Sequence, residues 1–186
     1  MLASQEAIWR QTDADGNGIK DYWTLDVSCL HRFYRCDGKT KVGFIDISFA
    51  RSDVDAYSRN NPSPFAIGNW NGLDIQYWPT LSVTYTTTAK SGYYYRAMLL
   101  DENGEPYNQN PVGKKGIKAC NSTKFAFVAY PSSYGISGVD TFIVNEGGTI
   151  YFINPGSDAN KVVLKWPGSD PTKVKGPGGK LWAVAE

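Results

Sequence analysis

Oxygen donors stand at alternate positions in the stretch DADGNGIKD: Asp13, Asp15, Asn17, the Ile19 carbonyl and Asp21. This is the ligand spacing of a helix-terminal calcium loop, with ligands at positions one, three, five, seven and nine and glycine at the sixth, here Gly18. Carboxylate and carbonyl oxygens suit a hard cation, so the cofactor expected is Ca2+. The twelfth position holds Thr24 instead of a bidentate glutamate, and Asp26 is the nearest carboxylate able to stand in. A loop short of that ligand would bind weakly, at about the millimolar end of extracellular sites. The competing reading is an Asp/Asn/Gly turn that ends a helix and holds no ion.

Other chemistry is sparse. The only histidine, His31, lies close to Cys29, and a Cys–His pair can activate a thiolate. Both sit in an irregular stretch without an orienting group, so a surface histidine is the better expectation. Cys29 and Cys36 could close a short disulfide in an oxidising compartment, with Cys120 left over. The alternative is three thiols. The chain has no GxSxG, no HExxH and no phosphate-loop spacing. No enzymatic activity is expected. Lys114, Lys115, Lys118 and Lys124 form a basic cluster that reads as a solvated loop. Trp70, Tyr77 and Trp78 are the candidate binding residues: they could stack on a glycan, meet another subunit, or pack their own loop onto the fold.

The elements that must carry these groups are mixed. Residues 1–11, MLASQEAIWRQ, read as helix, with neither glycine nor proline. No Ser, Thr, Asp or Asn precedes them as a cap, so the helix reads as the lower part of a longer one, with Met1 a start placed inside it. Residues 12–41 are polar and turn-rich. Val42–Ala56 leans towards a short helix. Residues 57–80, with Pro62, Pro64, Pro79, Gly68 and Gly72, read as a long loop and a probable insertion. Six β runs follow: LSVTYTTT, GYYYRAML, KFAFVAYP, DTFIVN, GTIYFI and KVVLKW. Asn145-Glu146-Gly147-Gly148 marks a hairpin turn. In GYYYRAML, Tyr93, Tyr95, Ala97 and Leu99 share one face, while Tyr94 and Arg96 share the other, so one covered and one wetter face are expected. The runs are too close together for βαβ crossovers. The fold expected is α+β, one domain over residues 1–186, with the helix packed on an antiparallel sheet and long loops between elements. A formal net charge of +1 gives no field to gather nucleic acid or anionic membrane.

Four segments resemble one family. ASQEAIWRQTDADGNGIKDYW is similar to its helix running into an acidic, glycine-rich loop and then an acidic-Tyr pair. GYYYRAML resembles its tyrosine-rich strand. FAFVAYPSSYGISGVDTFIVNEGGTIY is similar to its longest signature, and LWAVAE to its closing Trp segment. The family is a group of uncharacterised secreted bacterial proteins, assigned only a domain of unknown function, many with type IV prepilin-like N-termini. Asn17 departs from the family's more Asp-rich loop.

The resemblance implies a pilin-like or pseudopilin-like head. Its compartment would be extracytoplasmic: periplasm, cell surface or secreted, with a membrane anchor in the full-length form. The partners implied are other pilin-like subunits or cell-envelope components, with membrane contact only through a missing N-terminal helix. The alternative function is a calcium-assisted glycan or cell-envelope binding module that uses the loop aromatics.

Overall fold

The computed structural model describes residues 1–14, 16–31, 33–34, 41–54, 66–70, 73–76, 87–111, 118–159 and 161–185. Helix α1 spans Leu2–Thr12, as its composition predicts. Leu2, Glu6 and Trp9, spaced four and three residues apart, form its buried side. The helix stops at Asp13, whose backbone turns left-handed at φ 44°, a conformation Asp tolerates better than most residues. The Asp13 and Ala14 N–H groups donate back to the Arg10 and Trp9 carbonyls and close the last turn.

Short elements follow: β1 (Tyr22–Trp23), β2 (Phe33–Tyr34), β3 (Lys41–Val42) and helix α2 (Ile47–Ser52). The helix expected within Val42–Ala56 is thus confined to six residues. It starts where the Asp46 carboxylate accepts the Ser48 N–H at 2.8 Å. Within 57–80, read from sequence as loop, β4 (Ala66–Trp70) and β5 (Leu73–Gln76) pair as an antiparallel hairpin.

The central sheet contains β6 (Tyr93–Ala97), β9 (Ala126–Pro131), β10 (Thr141–Asn145), β11 (Ile150–Ile153) and β12 (Ala183–Val184), in the order β12-β11-β10-β9-β6. A smaller sheet joins β1 to β8 (Lys118–Asn121), and β8 to β7 (Asn110–Pro111). Every ladder between these strands is antiparallel. The β10–β11 hairpin turns at the expected residues, with Gly148 at φ 75° and its N–H on the Asn145 carbonyl. Of the expected runs, KVVLKW is not a ladder strand. It joins the fold through a parallel bridge, Leu100 to Lys165, with the Leu99 and Leu100 N–H groups on the Leu164 carbonyl and the Trp166 N–H on the Leu100 carbonyl, and it buries Trp166. Residues 81–86 of LSVTYTTT lie outside the described residues.

Both faces of the central sheet are covered, not one. On the first face Leu2 and Trp9 of α1 and Phe49 of α2 share a core with Trp23, Ala97, Phe125 and Phe127. On the second, Val128, Ile143 and Ile153 pack with Met98, Tyr107, Trp166 and Trp182. Alternation along the strands produces this division, since Phe127 and Val128 must point to opposite sides. The second face escaped the sequence pattern because irregular segments, carrying Trp166 and Trp182, cover it. No helix among the described residues is long and apolar enough to cross a membrane.

Candidate functional site

The left-handed turn at Asp13 aims its carboxylate back over the following loop. Asp13 Oδ2 accepts the Gly18 N–H at 3.1 Å, closing a ring from the first loop position to the sixth. Gly16 and Gly18 have φ of 65° and 82°, which glycine adopts without strain. Asn17 Oδ1 accepts the Ile19 N–H at 2.6 Å, a local Asx turn that redirects the chain toward β1. The chain then carries Asp21 into the interior, where it is 1% exposed.

Glu6 of α1 lies nearby and is fully buried. Its Oε2 accepts the Trp23 N–H at 2.8 Å, joining the helix to the strand that follows the loop. Glu6 Oε1, Asp13 Oδ1 and both Asp21 carboxylate oxygens are buried without a hydrogen-bond partner of good geometry. The side chains of Asn17, Asn110 and Cys120 nonetheless lie close enough to Asp21 to ease its charge. Burial pushes the Asp21 carboxyl up, and the charge of Asp13 adds to this; the three polar neighbours work against both. Burial pushes Glu6 further up, well above the usual carboxylate range. The Trp23 N–H opposes the shift, and the Asp21 charge reinforces it.

The loop therefore brings together three of the five expected positions, Asp13, Asn17 and Asp21. Ile19, between Asn17 and Asp21, leaves its side chain 46% exposed. Asp15 lies outside the described residues. Among the described residues, no three His, Cys, Asp or Glu side chains are grouped to hold an ion by themselves. A cation would need carboxamide and carbonyl oxygens as well. Neither Thr24, at the twelfth position, nor Asp26, the proposed stand-in, is aimed at the loop. Asp26 accepts from the Trp23 indole N–H at 3.3 Å and the Ser28 hydroxyl at 3.0 Å. The Thr24 hydroxyl lies 3.0 Å from the Ala119 carbonyl and 2.7 Å from Asn108 Oδ1. Glu6 was missed by the sequence reading. Its signal was a glutamate in register with Leu2 and Trp9, on the side of α1 that had to be buried.

The remaining candidates are scattered. Trp70 ends strand β4; Tyr77 and Trp78 lie outside the described residues. His31 Nδ1 is 2.8 Å from the Ile45 carbonyl, so a ring nitrogen is engaged by the backbone. Cys120 is a buried thiol, while Cys36 lies outside the described residues. Lys114 and Lys115 lie outside them too, and Lys124 pairs with Asp101 at 2.9 Å and Glu102 at 2.6 Å. Separately, an apolar groove of about 420 Å³ opens on the first sheet face beside the start of α1. Met1, Leu2, Tyr93, Phe127, Phe142 and Ile150 are among its walls.

A family model described as "Protein of unknown function (DUF2950)" matches residues 76–174, from the end of β5 past the central hairpins. No curated protein and no solved structure matches the chain. The match takes in more than half of the 186 residues, including the Ala-Tyr-Pro, Tyr-Gly and Ser-Gly signature, and the chain belongs to the DUF2950 family of proteins of unknown function.

Proposed function

We propose that this domain is the extracytoplasmic head of a pilin-like structural subunit without enzymatic activity. One observation carries the reading: the mounting of α1 beside the groove. The buried side of the helix sits on the antiparallel sheet, and at Leu2, where the helix begins, the sheet face continues as the open apolar groove. In a pilin-like subunit an apolar helical stalk leads into such a helix, and stalks from like subunits pack together. The groove offers a neighbouring stalk a seat lined by Phe127, Phe142 and Ile150. Apolar surface of this kind gains by being covered.

The test uses the natural gene. Its product should carry, just ahead of the Leu2 position, a short basic leader and a run of about 20 apolar residues. It should fractionate with the membrane and cross-link to like subunits. Phe142→Glu, which places a charge in the groove, should abolish the cross-link while the domain stays folded. A cleavable signal peptide, or a separate folded domain ahead of that position, would overturn the proposal.

A further inference from the structure

We infer that the loop between β9 and β10 is a membrane-inserting prong, with Ile136 at its tip entering the interfacial region of a lipid bilayer. Ile136 is 87% exposed, and Tyr134 and Val139 in the same loop are 40% and 42% exposed. One exposed apolar side chain is ordinary, but three in a single tight turn form a patch. The turn is braced so that the patch stays outside. The Gly135 N–H donates to the Gly138 carbonyl at 2.8 Å, and the Ile136 and Ser137 N–H groups donate to the Ser133 carbonyl at 3.1 and 2.9 Å. Ser137 Oγ accepts the Ser133 N–H at 3.0 Å, and the Tyr134 hydroxyl donates to Asn154 Oδ1 at 2.8 Å. Gly135, at φ 80°, makes the reversal. A tip held this way loses little further freedom on insertion.

Charge, size and place favour lipid over a protein pocket. No residue from Pro131 to Val139 carries a formal charge. The polar groups flanking Ile136 are hydroxyls and a tyrosine ring, and tyrosine is enriched at membrane interfaces. With no cation in the loop, the lipid it fits is zwitterionic, not anionic. The patch is also small. A stable protein interface takes about 20–30 residues from each side, whereas a bilayer needs no complementary surface. The prong is rooted on a wall of the apolar groove: Ser91 and Tyr93 line that groove together with Met1 and Leu2. The hydroxyl and ring of Tyr93 crowd Gly138, and Ser137 crowds Gly92. The last point rests on the pilin-like reading, in which an anchor entering α1 at Leu2 puts the bilayer on this side of the head; charge and size do not.

The experiment is flotation of the 186-residue chain with phosphatidylcholine vesicles. Lipid is used at about 10 mM, because even a myristoyl chain partitions with a constant of only about 10⁴ M⁻¹ and the prong is smaller. Part of the wild-type protein should float with the vesicles. The floating fraction should not fall at high salt, nor rise when anionic lipid is added, because the contact is not ionic. Ile136→Asp should lower the partition constant about tenfold or more, since it removes one large apolar side chain from the contact. The site is exposed, so its melting temperature should match wild type. Ile136→Trp should raise the partition constant. Wild-type protein that does not float, or that floats equally well as Ile136→Asp, overturns the inference. So does self-association in sedimentation that depends on Ile136 and occurs without vesicle binding, which would give the prong to a second copy. The head reading is tested apart from this, by the natural gene and the Phe142→Glu cross-link.

Discussion

Glu6 Oε2 holds the backbone N–H of Trp23 at 2.8 Å, and neither residue has any exposure to water. A helix residue thus satisfies a strand donor 17 positions along the chain. Glu6→Ala leaves that donor unpaired in the core and should cost roughly 1–3 kcal/mol in denaturant unfolding. Glu6→Gln keeps an acceptor and drops the charge, so it should retain most of the stability. The pH dependence has a definite sign. Burial holds the folded-state pKa of Glu6 above its unfolded value, so its contribution is fully present at acid pH and is lost as pH rises toward the folded pKa. Wild type should therefore lose stability on going from about pH 5 to about pH 8, above the ordinary carboxylate range, relative to Glu6→Gln. Parallel profiles for the two proteins would contradict this.

Trp9 is the aromatic hinge of the first core. Its ring centre lies 5.3 Å from that of Trp23 and 5.5 Å from that of Phe44. Trp9→Ala should cost about 3–5 kcal/mol, the usual loss for removing a large buried aromatic. Near-ultraviolet circular dichroism should lose intensity as the Trp9–Trp23 contact disappears. Ala7→Ser, on the exposed side of the same helix, should change stability by no more than about 0.5 kcal/mol.

What could be read from sequence divides by the range of the interaction. Helix α1 was legible because composition, with neither glycine nor proline in residues 1–11, is local. The β9, β10 and β11 strands were legible because period-two alternation and the Gly148 turn are local too. The role of Glu6 was hidden, since its partner Trp23 follows a loop whose path only the fold determines. Asp26 looked like a spare ligand, but its carboxylate turns to Trp23 and Ser28. The second core was hidden for a related reason: Trp166 lies in KVVLKW, read from sequence as a strand, and Trp182 in the closing segment, and only the fold brings both onto the same sheet face. Asp53 shows the same limit. It is fully buried and accepts the Val27 and Ser28 N–H groups at 2.8 and 2.9 Å, across 26 and 25 residues.

Gly138, in the Tyr-Gly-Ile-Ser-Gly segment, has a physical reason to be glycine. A methyl group there would run into the hydroxyl and ring of Tyr93. Tyr93 in turn meets Phe142 edge-on, at 5.8 Å between ring centres. Gly138→Ala should cost about 1–3 kcal/mol through overpacking. Shortening the obstacle in the double variant Gly138→Ala/Tyr93→Leu should recover part of the loss, with a coupling of about 0.5 kcal/mol or more in a double-mutant cycle. Strictly additive losses would show that the two residues do not press on each other.

Lys124, just ahead of β9, is tied to the turn at Asp101, and the link should appear in acid. Burial works to raise the Asp101 carboxyl, but Lys124 and the N–H groups of Glu105 and Asn103 outweigh it, leaving the carboxyl below its ordinary value. A depressed folded-state pKa contributes stability above the unfolded value, and that contribution disappears as pH falls through the folded value. Lys124→Met removes the cation but leaves Asp101 Oδ1 with the Asn103 and Glu105 N–H groups, each at 2.9 Å. The turn should therefore stay formed while part of the acid sensitivity is lost. At neutral pH the loss should be modest, about 1 kcal/mol, because Lys124 is partly solvated and an exposed pair is screened. Below the carboxylate range the variant and wild type should converge. Asp101→Asn makes the complementary case, because it keeps an acceptor for the two N–H groups and removes the titrating group itself. If Lys124→Met and wild type keep the same difference in stability from neutral pH down through the carboxylate range, the ion pair is not what sets the charge state of Asp101.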